Sequence, residues 1–140
     1  MLKHVRTILL ACALLGAAPA LAQLKPEAER SMTAEEATAA LFGIDMEGYS
    51  PSENFQWREC IQPDGETLYE TPFGVQNGRL MILDDGHACF AYEDDDYMSW
   101  GCFSVHSSQS GLVFRNEDGA TFITTRIFRG VRNCRPQLVS

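Results

Sequence analysis

Four Asx-Gly dipeptides constrain this chain more than any other feature. Asp64-Gly65, Asn77-Gly78, Asp85-Gly86 and Asp118-Gly119 punctuate it from residue 64 onward. Gly, Asn and Asp accept the positive φ angles that tight hairpin turns require. Ser107 to Gly111 is another turn-forming stretch. The segments between are rich in aromatic and β-branched residues, which predicts strands near 54–62, 66–75, 79–84, 87–93, 98–106, 111–116 and 120–129. A short additional strand is expected near 131–134. Short links between consecutive strands make an antiparallel meander. The expected fold is therefore mainly β, about seven strands forming a small barrel or curled sheet.

One helix precedes the strands. Thr33 and Glu36 form a T-x-x-E capping box, Ala34 to Phe42 are good helix formers, and Gly43 is a natural stop. Ala37, Ala40, Leu41 and Ile44 would make its apolar stripe. Such a short helix is marginal alone and must dock on the sheet. A loop is expected around Tyr49-Ser50-Pro51.

The first 22 residues read as a signal peptide. Lys3 and Arg6 precede an apolar run from Thr7 to Ala18, Pro19 breaks it, and Ala20-Leu21-Ala22 offers a small-x-small cleavage site. A membrane anchor needs about 20 apolar residues, more than this run has. Leu9-Leu10-Ala11-Cys12 loosely resembles a lipobox, but most of the apolar run lies beyond it. Residues 23–32 read as a flexible leader and 33–140 as a single β-rich domain. The expected address is periplasmic or secreted.

Cleavage removes Lys3 and Arg6, leaving nine basic residues against 19 acidic, a net charge of −10. Such a surface repels phosphate backbones and anionic bilayers, so no nucleic acid partner is expected, and no membrane after signal cleavage. Cys12 also leaves, so Cys60, Cys89, Cys102 and Cys134 remain. In an oxidising compartment this even count predicts two disulfides. Zinc is the competing reading, but there is no C-x-x-C pair with His in ligand spacing. The hairpin geometry assigns the pairs. A two-residue turn at Asp85-Gly86 would set Leu83 opposite Ala88, and a turn about Asp95-Asp96 sets Cys89 opposite Cys102 and Ala91 opposite Trp100. That leaves Cys60 for Cys134, which meet only if the sheet curls round.

Candidate sites are few. Glu93-Asp94-Asp95-Asp96 offers clustered carboxylates, with Asp94, Asp95 and Asp96 as possible Ca²⁺ ligands, yet the Gly and distal Glu of a calcium loop are missing. The competing reading is a solvated hairpin tip. Arg126, Arg129, Arg132 and Arg135 recur every third residue, a spacing that scatters them over both faces of a strand. His87 and His106 are the histidines left after cleavage, and Ser104 shares a strand face with His106. No nucleophile elbow or positioned acid accompanies them, so no catalytic residue is assigned. Trp57, Tyr92 and Trp100 are the expected lining if the barrel encloses a cavity; simple core packing is the alternative. No cofactor is expected.

The motifs also carry a resemblance. T-x-E-E at Thr33 to Glu36, Leu41-Phe42-Gly43, P-D-G at Pro63 to Gly65 and D-D-G-H-A-C-F from Asp84 to Phe90, followed by Cys102, resemble a set of small secreted proteobacterial β-rich proteins of unknown function. It covers most of residues 33–106, although Leu80 stands where a Trp is expected in that set. The resemblance implies a fold and an address, and no activity.

The function expected is a non-enzymatic periplasmic binding module for a small apolar ligand or a protein partner, inhibitor-like in format. The alternatives are a small hydrolytic enzyme using His87 or His106, and a Ca²⁺-stabilised envelope structural protein.

Overall fold

The computed structural model describes residues 29–94 and 97–137, without the side chains of residues 94 and 97–100. The segment expected to be a signal peptide, Cys12, Asp95 and Asp96 lie outside the described residues, as do the side chains of Asp94 and Trp100.

The chain forms β1 (Arg30–Ser31), α1 (Ala34–Leu41), β2 (Ile44–Ser50), β3 (Phe55–Ile61), β4 (Glu66–Thr71), β5 (Gly74–Ile82), β6 (Ala88–Asp94), β7 (Tyr97–Ser108), β8 (Gly111–Arg115) and β9 (Thr121–Arg129). Strands β2 to β9 pair antiparallel in sequence order, and β9 returns to pair with β2. The sheet is a closed eight-stranded barrel. Closure leaves no long edge exposed. The two residues of β1 add a short pairing to β7, with Ser31 opposite His106.

Several sequence expectations change here. There are eight barrel strands rather than about seven, because Ile44–Ser50 is a strand and not the lead-in to a loop. Its residues alternate inward (Ile44, Met46, Gly48, Ser50) and outward (Asp45, Glu47, Tyr49), as a half-buried strand requires. Asn77-Gly78 is strand interior. The turn lies earlier, at Pro72-Phe73 between Thr71 and Gly74, where proline pre-sets φ for a tight link. The Asp85-Gly86 hairpin has a three-residue loop. Leu83 N–H donates to the His87 carbonyl and Gly86 takes φ 91°, so Ile82, and not Leu83, faces Ala88. Residues 131–134 form no strand. Arg30–Ser31 gives the expected leader a structured end.

The β6–β7 register has Cys89 opposite Cys102, and these two are bonded. Cys60 is bonded to Cys134, 74 residues away. That bond straps residues 130–137 over the outer face of β2, β3 and β4. Val131 N–H donates to Gly43 O and Gln137 N–H to a Glu70 carboxylate oxygen. Beneath the strap, Arg58 makes a bidentate pair with Asp45 at 2.7 and 2.9 Å, pairs with Glu70, and donates to Arg135 O. The strap is why Cys60 and Leu68 are buried although they point away from the barrel interior.

Helix α1 closes one end. Its capping box is complete: Glu36 N–H donates to Thr33 Oγ, and Thr33 N–H donates to the Glu36 carboxylate. Gly43 follows at φ 75°, the left-handed residue that ends the helix. Ala37 and Leu41 are buried against Ile44, Ile61, Leu80, Ala88 and Val105. This end is therefore packed solid. The opposite end carries the links at 51–54, 72–73 and 116–120, with no helix across it among the described residues.

Candidate ligand-binding cavity

Eight strands enclose an interior just wide enough to fill with side chains or to hold one small ligand. Here the half nearest α1 is filled and the other half is not. It contains a cavity of about 190 Å³.

The inward alternation of β3 positions the site. Phe55, Trp57, Glu59 and Ile61 face the interior, while Arg58 and Cys60 face the strap. Trp57 lies flat because its neighbour across the ladder is Gly48, where a Cβ would come 2.4 Å from the indole ring. Tyr92 is seated in the same way against Gly78, where a Cβ would come 2.6 Å from the ring. Tyr69 stacks on Tyr92 at 5.1 Å between centroids, and Phe90 lies parallel to Tyr92 at 6.2 Å. Phe114 and Phe122 meet the indole edge-on at 6.3 and 6.0 Å. These contacts hold the aromatic walls in fixed orientations. Met46 and Phe103 complete the lining.

Glu59 is the one carboxyl on that lining, and no Lys, Arg or His belongs to it. It is 3% exposed. The Tyr92 hydroxyl donates to its Oε2 at 2.7 Å. Burial raises its pKa to about 8, against the opposing pull of the Tyr92 hydroxyl, the Thr67 hydroxyl and the Arg58 charge. Glu59 is thus mostly protonated at neutral pH. Burial, reinforced by Glu59, also pushes the Tyr92 and Tyr69 phenols up, so both stay neutral.

Three polar atoms of this interior are buried without a hydrogen-bond partner among the described residues: Glu59 Oε1, Trp57 Nε1 and Thr67 Oγ1. The Thr67 hydroxyl influences Glu59 by proximity, but its geometry falls short of a hydrogen bond. Unsatisfied groups of this kind destabilise a fold by roughly 1–3 kcal/mol each and are rare in native interiors. Two of them, on Trp57 and Glu59, belong to residues of the cavity lining and are candidate contacts for something polar.

Two of the three residues expected to line a cavity, Trp57 and Tyr92, do line it; Trp100 pairs with Ala91 in the ladder and its side chain lies outside the described residues. Glu59 escaped the sequence reading. Its signal was an acid at an inward position of an alternating strand, between Trp57 and Ile61.

The other candidates lie elsewhere. Asp94 ends β6, Asp95 and Asp96 lie outside the described residues, and no metal-holding group of His, Cys, Asp or Glu occurs among the described residues. His87 Nδ1 lies 2.9 Å from Asp85 within one turn. His106 Nε2 is 3.0 Å from Ser104 Oγ, and Ser104 gives its proton to the Arg115 carbonyl. In that arrangement the imidazole donates to the serine and cannot act as its base. Arg126 pairs with Glu47, and Arg129 donates to the Ala40 carbonyl; the arginines converge on no common point.

No protein-family model, curated protein or solved structure matches this chain.

Proposed function

We propose that this protein is a periplasmic or secreted binding module that takes a small, largely apolar ligand into the open half of its barrel. The observation that carries the reading is the aromatic-walled cavity of about 190 Å³ whose lining includes Trp57 and Glu59, each with a polar atom that has no partner among the described residues. Ligand sites are characteristically apolar pockets with a few placed polar groups. An apolar cavity of about 150 Å³ accommodates a benzene ring, so this one has room for a single ring with a short polar substituent. The two disulfides, and the lack among the described residues of a helix long and apolar enough to cross a membrane, fit an extracellular or periplasmic setting.

Binding to the folded state raises the melting temperature with ligand concentration. A panel of single-ring compounds should include members that stabilise the wild-type protein. They should lose that effect when Met46→Trp fills the cavity. A panel without any stabilising member would remove the reading.

The protein-partner form of the proposal draws on Phe73, which is 84% exposed at the open end beside Phe55. Phe73→Ser should weaken capture of a protein partner and leave uptake of a small ligand unchanged.

A further inference from the structure

We infer that the ligand of this cavity is a small organic cation, a protonated amine with a short apolar body, whose N–H groups bond Glu59 Oε1. The inference rests on the binding reading above and deepens it.

Three observations converge. First, the unpartnered atom deepest in the chemistry of the site is a carboxylate-type oxygen. Glu59 is bonded at Oε2 by Tyr92, and Oε1 is left without a partner among the described residues. A neutral acceptor on a ligand would need only a donor there, which Gln would supply without the penalty of burying an acid. A carboxyl is distinctive because its charge can be restored by a cation, in a charge-assisted hydrogen bond.

Second, the walls suit the same guest. Trp57, Tyr69, Phe90 and Tyr92 line the cavity together with Glu59, and aromatic faces attract alkylammonium groups most when water is excluded. No basic residue on the lining competes for Glu59. Third, the whole chain carries a formal charge of −8, which raises the local concentration of cations.

The step balances simply. The ammonium enters, the proton on Glu59 leaves for the buffer, and the carboxylate so formed accepts an N–H···O bond. The groups facing Glu59 are few, and the Thr67 hydroxyl on β4 is one of them. Tyr92 from β6 donates to it, Tyr69 from β4 stays neutral, β2 contributes Met46 opposite it, and the Arg58 charge on its own strand points outward. α1 presents only Ala37 and Leu41 to the core.

The test is titration calorimetry of the full-length mature protein with benzylamine and with its neutral isostere benzyl alcohol, from pH 6 to 8 in buffers of different ionisation heat. An alkylammonium stays charged throughout that range. With Glu59 titrating at about 8, benzylamine should bind about 50-fold more tightly at pH 8 than at pH 6, releasing close to one proton at the lower pH. Glu59→Gln should weaken benzylamine by roughly tenfold or more at pH 8, with a cooperative melt showing that the variant is folded. Benzyl alcohol binding as tightly as benzylamine at pH 8, with no proton release, would overturn the inference and leave the binding reading standing. Neither compound binding the wild-type protein would overturn both.

Discussion

The Tyr92 hydroxyl reaches across the barrel to Oε2 of Glu59, 33 residues earlier in the chain, and satisfies one oxygen of a buried acid while its twin has no partner among the described residues. The phenol on β6 and the carboxyl on β3 tie opposite parts of the inner wall together. They also give the protein a pH-sensitive interior.

Glu59 titrates near 8 when folded and near 4.5 when unfolded. The folded state therefore holds the proton more tightly, and stability falls as pH rises between those values. The loss from pH 5 to pH 8 is roughly 3 kcal/mol. Denaturant melts should show this slope in the wild-type protein, and Glu59→Gln should remove most of it. Below pH 4.5 the opposite sign takes over, because the Arg30 pair and the helix cap hold Glu36 down to about 2.

Tyr92→Phe keeps the ring and removes the donor. Oε2 of Glu59 then has no partner, so the variant should lose about 1–3 kcal/mol. The Glu59 pKa should climb further, since the lost bond favoured the charged form. Carboxyl-labelled NMR titration of Glu59 reads the direction. A downward move would contradict it.

Gly48→Ala tests how the cavity wall is seated. The added methyl would lie 2.3 Å from the Ile123 carbonyl and 2.4 Å from the Trp57 ring. Backbone and indole cannot both yield without repacking, so we expect a loss of about 2 kcal/mol or more and a changed Trp57 fluorescence. Gly119→Ala has no such neighbour and should leave the fluorescence alone, although φ 88° strains its backbone.

The strap gives a separate prediction. Replacing Cys60 and Cys134 together by Ser should destabilise by about 2–5 kcal/mol. It should also expose the Arg58 cluster, so that amides of residues 130–137 exchange hydrogen faster than the barrel strands. Equal protection of strap and barrel in that variant would show that the disulfide does not hold the segment.

The fold was readable in the sequence where local geometry leaves little choice. The helix announces itself through Thr33 and Glu36, and Cys89 faces Cys102 because both flank one hairpin of clear register. Tertiary packing overrode the local signals elsewhere. Asn77-Gly78 looks like a hairpin turn, yet Gly78 is needed inside β5 because Tyr92 covers it. The strand Ile44–Ser50 escapes the sequence reading, which assigns Ile44 to the helix stripe and Tyr49-Ser50-Pro51 to a loop, because Gly48 and Pro51 are poor strand residues; Gly48 is there to admit Trp57. Glu59 was visible only as an exception to alternation. Its meaning depends on which aromatic rings the barrel gathers around it, and no local pattern reveals that.

The most direct test of ligand uptake follows the indole N–H of Trp57, a buried donor of a cavity-lining residue with no partner among the described residues. Its ¹⁵N–¹H signal, assigned with Trp57→Phe, should shift and saturate as benzylamine or benzyl alcohol is added. A Trp57 signal unmoved at millimolar concentrations of both, in protein that remains folded, would contradict the account of this barrel as a ligand site.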